Sequence, residues 1–226
     1  MALSDKKILK QMKKGTIIIE PFERNNLGTS SYDVTLGPYY YREHPIDSRI
    51  YNIWNPDHVA RVWGEVKTAL PAKVTLGAYS DFKYVGFNEG HQIILIEPGE
   101  TILAHTKEFV GGLKKHTTMM KARSTYGRNF IEVCKCAGWG DVGFVNRWTM
   151  EITNNSRHHI IPLVVGERIA QIPFFRTGKT IGDYGKSGKY QSGGNIDELK
   201  ASWNPSMMLP KLHLDRERKP ASQEEE

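Results

Sequence analysis

Between Arg123 and Glu151 the chain reads RSTYGRNFIEVCKCAGWGDVGFVNRWTME, a stretch dense in groups that can hold a phosphorylated nucleotide. Arg123 and Arg128 supply planar, permanently charged forks for phosphate oxygens. Ser124 and Thr125 add neutral donors, and Gly127 lets the backbone approach an anion closely. Asp141 and Glu151 contribute acceptors that can also carry protons. Each piece taken singly is weak, because an R-S-x-x-x-R string recurs by chance and a glycine beside an acidic residue usually marks a turn. The bland alternative makes Glu151 an exposed partner of Arg147 and leaves the arginines on an ordinary turn.

In register, Arg123, Ser124, Arg128, Asp141 and Glu151 coincide with the R-S-S-x-x-R...D-x-G-[FW]...L-E pattern of dCTP deaminases. The chain resembles that family, a branch of the trimeric dUTPase fold. LSDKKILKQMKKG near the start, GTSSYDVTLG at 28–37, IEPGETILAHTKEFV at 96–110, GERIAQI and GKYQSG extend the resemblance over residues 3–194. Correspondence is weak across 38–92 and ends by Asn195.

The resemblance implies a proton-handling role for Glu151 while water attacks the cytosine ring and ammonia leaves. It implies that Ser124 positions the water or a phosphate oxygen and that Arg128 orients the glutamate. Arg123 and Thr125 fall at triphosphate ligands, Ala137 where backbone groups meet the base, and Asp141 where the deoxyribose 3′-hydroxyl is held. Trp139 and Thr149 join the substrate contacts. Tyr184, Lys189 and Gln191 match the aromatic, lysine and glutamine of a lid that closes over the nucleotide and excludes water. Departures are Cys134 in place of a common histidine, Lys135-Cys136 in place of a polar-Thr pair, Thr125-Tyr126, Val142 and Asn146. None removes a proton-transfer group.

The expected reaction is deamination of dCTP to dUTP, with continuation to dUMP, or a non-catalytic nucleotide-binding regulator, as alternatives. The partners implied are dCTP, with dUTP or dTTP as related ligands, and two further copies of the chain in a homotrimer. Magnesium is expected to arrive on the substrate triphosphate, held by phosphate oxygens and water. Zinc is not expected, since neither the H-x-E nor the P-C-x-x-C of the zinc deaminases occurs.

The elements that must position these groups read as short strands. Tyr32, Val34 and Leu36 alternate with Ser31, Asp33 and Thr35, and the period of two recurs in RWTMEIT at 147–153. There Arg147, Thr149, Glu151 and Thr153 share one strand face while Trp148, Met150 and Ile152 take the other. QIILIE, TILA, TTMMKA, FIEVC, HIIPLV and RIAQIPFF are further strands, separated by turn signals at 97–100, Gly111-Gly112 and Gly166. Cys134 and Cys136 are read as lying on a strand, pointing the same way without bridging geometry. One helix is expected at the start, with Ser4 as N-cap, Leu3 and Ile8 as a hydrophobic staple, and Gly15 as its end. Residues 39–83 read as long loops and a hairpin.

The fold class implied is all-β dominated, a distorted β-barrel or jelly roll of the dUTPase-like type with a short N-terminal helix. Residues 1–178 are assigned to the barrel, and 179–226 to a flexible C-terminal lid and a charged, disordered tail ending DRERKPASQEEE.

Composition agrees: 226 residues, 39% hydrophobic and 25% charged, suit one core. Two cysteines cannot build a disulfide framework, and no apolar run approaches membrane-spanning length, so a cytoplasmic protein without a membrane is expected. The net charge of +6 is spread among 25 acidic residues, which argues against a nucleic-acid surface.

Overall fold

The computed structural model describes residues 1–79, 82–182, 184, 188–191 and 195–215. Helix α1 (Asp5–Lys13) opens the chain and buries Ile8 completely, with Leu3 beside it in the core. Ser4 stands at the N-cap, yet its hydroxyl makes no capping bond. The entry is held instead by backbone bonds from Leu3 N–H to Phe174 O and Asp5 N–H to Thr29 O, so a barrel contact replaces the expected cap. Gly15, at φ +64°, takes the chain out of the helix in a backbone region that favours glycine.

Among the described residues a ten-stranded sheet curls on itself around two long strands. Strand β6 (Thr101–Gly112) pairs with β11 (Val145–Asn154) along one edge. Its other edge takes β2 (Ser31–Arg42) and then β1 (Ile17–Glu20). Strand β13 (Arg168–Arg176) pairs with β2 on one side, and with β8 (Lys121–Ala122) and β7 (His116–Met119) on the other. Strand β9 (Ile131–Val133) extends the sheet beyond β11, and β10 (Trp139–Gly140) extends it beyond β7. A second sheet joins β4 (Leu70–Pro71), β5 (Gln92–Ile96) and β12 (Ile161–Val164).

The period-two expectations hold. Tyr32, Val34 and Leu36 from β2 meet Trp148, Met150 and Ile152 from β11 inside the barrel, none more than 4% exposed. The core continues through Ile102 and Ala104 of β6 and Ile169, Ile172 and Phe174 of β13.

Beyond the Ser4 cap, the structure differs from the sequence reading at several places, among them residues 196–214, which form a helix and two short turns rather than a flexible segment. Residues 39–83 carry helix α2 (Pro56–Trp63), the two-residue β3 (Lys67–Thr68), β4 and the four-residue α3 (Ala72–Thr75) rather than a hairpin. Asn55 caps α2 with its side-chain carbonyl, and Pro56 sits at N1, a start signal legible in sequence. Gly111 and Gly112 are not a turn but the end of β6, glycine there because a Cβ on Gly111 would lie 1.9 Å from Phe144 O and one on Gly112 2.3 Å from His116 O. Cys134 and Cys136 lie past β9 rather than on a strand: Cys134 and Lys135 take φ of +68° and +41°, which buries the first thiol and exposes the second.

Candidate active site

Strand β11 carries the site. Thr149 and Glu151 stand on its outer face, opposite the buried Trp148 and Met150, and line a cavity of about 600 Å³. Asp141, from the turn that leads into β11, and Ala137 and Trp139, from the segment after β9, line the same cavity, as does Tyr184. Phe144 braces that wall, packing edge-on against Trp148 (5.2 Å between centroids) and Tyr184 (5.5 Å).

The Glu151 carboxyl is the chemically unusual group. Its Oε2 is buried and has no hydrogen-bond partner. Burial raises its pKa above the ordinary carboxylate value, while a backbone hydrogen bond and the Lys135 ammonium pull the other way. A carboxyl that keeps a proton more readily and points into a cavity can both accept a proton from water and return one. The buried Cys134 thiol nearby is held protonated, first by burial and then by the Glu151 charge.

Arg147, on the same strand face, makes no ion pair with Glu151. Its guanidinium lies over the Phe109 ring (5.1 Å) and the Trp203 ring (4.5 Å), so the bland pairing is not formed. Phe109 is also its ladder partner, at an irregularity in the pairing. Arg147 pairs with Phe109 and Thr149 with His105, leaving Thr106, Lys107 and Glu108 of β6 facing Trp148 alone. Trp148 N–H closes the gap by donating to Thr106 Oγ1 (2.9 Å), and its indole N–H donates to Val110 O (2.9 Å).

The arginine-serine group sits elsewhere in the protomer. Arg123 precedes the one-turn helix α4 (Ser124–Arg128) and is tied down, its Nε 3.1 Å from Asp33 Oδ2 and its Nη1 donating to Arg168 O. Ser124, Thr125 and Arg128 are exposed, and the first and last have no side-chain partner among the described residues. None of these four lines the Glu151 cavity. Lys189 pairs with Asp215 (3.0 Å). Gln191 is buried, with Oε1 accepting from Val145 N–H (2.7 Å) and Nε2 donating to Gly143 O (3.1 Å). Gly185, Lys186, Ser187 and Asp183 of the expected lid, and the tail from Arg216, lie outside the described residues.

Sequence reasoning left out Lys135, Arg147, Tyr190, Trp203, Met207, Met208 and Pro210, all of which line this cavity. The strand alternation already put Arg147 on the Glu151 face. Nothing local marked the last four, which return from helix α5 (Ile196–Ser202) and the turns after it. Among the described residues no group of three His, Cys, Asp or Glu is placed to hold a metal ion, and no helix is long and apolar enough to cross a membrane.

Comparisons with known proteins agree with this picture. A dCTP deaminase-like domain profile matches residues 2–177. The "dCTP deaminase, dUMP-forming" of Methanocaldococcus jannaschii is 28% identical over 219 residues, spanning 97% of this chain and 100% of that one. Proteins of the same name from Clostridium botulinum and Leptospira biflexa are 31% identical over 198 residues and 32% over 200, each match spanning 87% of this chain and 94% and 93% of theirs. In three dimensions the fold is similar to that of the 2′-deoxycytidine 5′-triphosphate deaminase of Agrobacterium tumefaciens, with a TM-score of 0.50 at 18% identity over 78% of this chain and 48% of that one. With its barrel, its Glu151 strand and a profile match over most of its length, the chain belongs to the dCTP deaminase-like family.

Proposed function

We propose that this chain converts dCTP to dUMP in one site, as a bifunctional deaminase and diphosphatase. The observation that carries the reading is the Glu151 carboxyl, with its buried and unpartnered Oε2, in a cavity shared with Asp141. The names of the similar proteins favour dUMP over dUTP as the released product.

In the first step Glu151 takes a proton from water, the oxygen bonds to C4 of cytosine, and the proton passes to N3 or to the amino group. The C4–N bond then breaks and ammonia leaves. In the second step a water attacks the α-phosphorus, the bond to the bridging oxygen breaks, and pyrophosphate departs. Together one dCTP and two waters give dUMP, pyrophosphate and ammonia. Asp141 holds the deoxyribose hydroxyl in the first step and orients the hydrolytic water in the second. Magnesium arrives with the triphosphate as part of the substrate.

The exposed, unpartnered Ser124 and Arg128 act on a neighbouring subunit's nucleotide, in a homotrimer whose sites lie between protomers. This accounts for their distance from the cavity that holds Glu151 in the same protomer. Lys189 and Gln191 reach the phosphates when the segment from Tyr184 closes.

Incubation of the protein with magnesium and dCTP, followed by chromatography, tests the reading. Equal amounts of dUMP, pyrophosphate and ammonia are expected; dUTP in place of dUMP would leave the deaminase alone, and intact dCTP would refute it. Glu151→Gln keeps the shape but cannot shuttle a proton, so ammonia release should fall by about 10²-fold or more while nucleotide binding persists.

A further inference from the structure

Across the β6–β11 ladder Leu103 is the direct partner of Glu151, which puts both side chains on the outer face of the sheet. Ile102 and Ala104, the neighbours of Leu103, point into the barrel core; Leu103 is nonetheless only 4% exposed. Its cover comes from beyond the profile match at 2–177. Met208, on the turn Pro205–Met208, is 3% exposed and packs with Leu103 and Tyr41. Met207 and Pro210 line the Glu151 cavity with it.

Several contacts hold this strap in place. Trp203 lies on the Arg147 guanidinium (4.5 Å) and against His105 (4.7 Å). Lys211 N–H donates to the Tyr190 hydroxyl (3.2 Å), and Lys189 pairs with Asp215. A thioether offers no N–H or O–H donor, so Met208 gives the cavity wall that it shares with Glu151 an apolar surface and no hydrogen bond for the carboxyl.

We propose that Met208, carried on a C-terminal strap beyond the profile match at 2–177, is a positioning residue that makes the cavity wall beside the Glu151 carboxyl apolar. The strap thereby sets the proton affinity of the group that the proposed reaction depends on, and the inference rests on that reading for its catalytic meaning. The titratable and charged groups facing Glu151 are Lys135 and Cys134 from the segment after β9, Asp141 and Arg147 around β11, and Tyr184 and Tyr190 from the chain beyond β13. None of them belongs to the strap, so a change at Met208 alters solvation and leaves the local charges in place.

The test is a carbon-13 titration of the Glu151 carboxyl in the full chain, assigned by its loss in Glu151→Gln. Met208→Ser should move the midpoint down toward the ordinary carboxylate range, Met207→Ser should move it less in the same direction, and Met208→Leu should keep it. The acid limb of kcat/KM for dCTP should follow to lower pH in Met208→Ser. Should Met208→Ser fail to fold, Met207→Ser carries the same readout from the cavity wall. Unmoved midpoints in the folded serine variants would overturn the proposal. Absence of ammonia release by the wild-type protein would refute the proposed reaction while leaving the titration to decide the role of Met208.

Discussion

Glu151 and His105 both have proton affinities shifted from those of the free side chains, in opposite directions and for different reasons. Glu151 is raised chiefly by burial, and no protein donor reaches its Oε2. His105, fully buried, is lowered to about 4, chiefly by burial and with a smaller push from the Arg147 charge. Its Nε2 accepts from Tyr39 N–H (3.3 Å), so Nδ1 carries the proton and donates to Thr106 O (2.8 Å). The neutral ring is therefore built into the fold. Because the folded-state pKa is depressed, the unfolded chain binds the proton first as pH falls, and stability present above about 6.5 is lost progressively toward pH 4. The full shift corresponds to about 3 kcal/mol. Urea unfolding at pH 7.5 and 4.5 should show a clear loss in the wild type and a smaller one in His105→Gln, since Glu108 and Glu151 titrate alike in both. An equal loss in the two would remove His105 from the acid sensitivity.

At the scale of elements, the β6–β11 pair does the positioning, and its close approach depends on Gly111. That residue pairs with Val145, and a Cβ there would lie 1.9 Å from Phe144 O and 2.7 Å from Val145 Cα. Both are backbone atoms, so no rotamer change can relieve the clash. Gly111→Ala must push the start of β11 outward, together with the turn that carries Asp141 and Phe144. We expect a stability loss of about 1–3 kcal/mol by chemical denaturation. In the folded fraction, nucleotide affinity should weaken as well. A variant of unchanged stability and affinity would mean that the turn tolerates displacement. The second irregularity, where Gly37, Pro38 and Tyr39 of β2 face His105 alone, brings the Tyr39 ring into a stack on that imidazole (5.7 Å) and extends the aromatic group to Trp203.

At the scale of the whole molecule, the proposed trimer makes a prediction that a single protomer cannot. If Glu151 of one subunit works with Ser124 and Arg128 of the next, Glu151→Gln and Arg128→Ala should each be inactive alone. Mixed as trimers in equal amounts after co-refolding, they should recover activity near a quarter of the wild type, because roughly one interface in four joins two intact halves. Light scattering should report the trimer in every case. No recovery in trimers shown to be mixed would place the complete site within one subunit.

The sequence by itself determined the barrel, the faces of its strands and the family. A period of two reports which side of a strand is buried, and the spacing from Arg123 to Glu151 survives in one dimension because those residues lie on a single run of chain. It also placed Arg147 on the Glu151 face without saying what it would meet. The tertiary structure alone decided that Arg147 lies between Phe109 and Trp203, that Ser124 and Arg128 stand apart from Glu151 within a protomer, and that Met208 covers the strand neighbour of the glutamate. Residues 195–214 escaped a sequence reading because their helix and turns are short, with no sustained period. Their burial comes from contacts with strands about a hundred residues earlier, such as Met208 on Leu103, and no local pattern encodes a partner so distant.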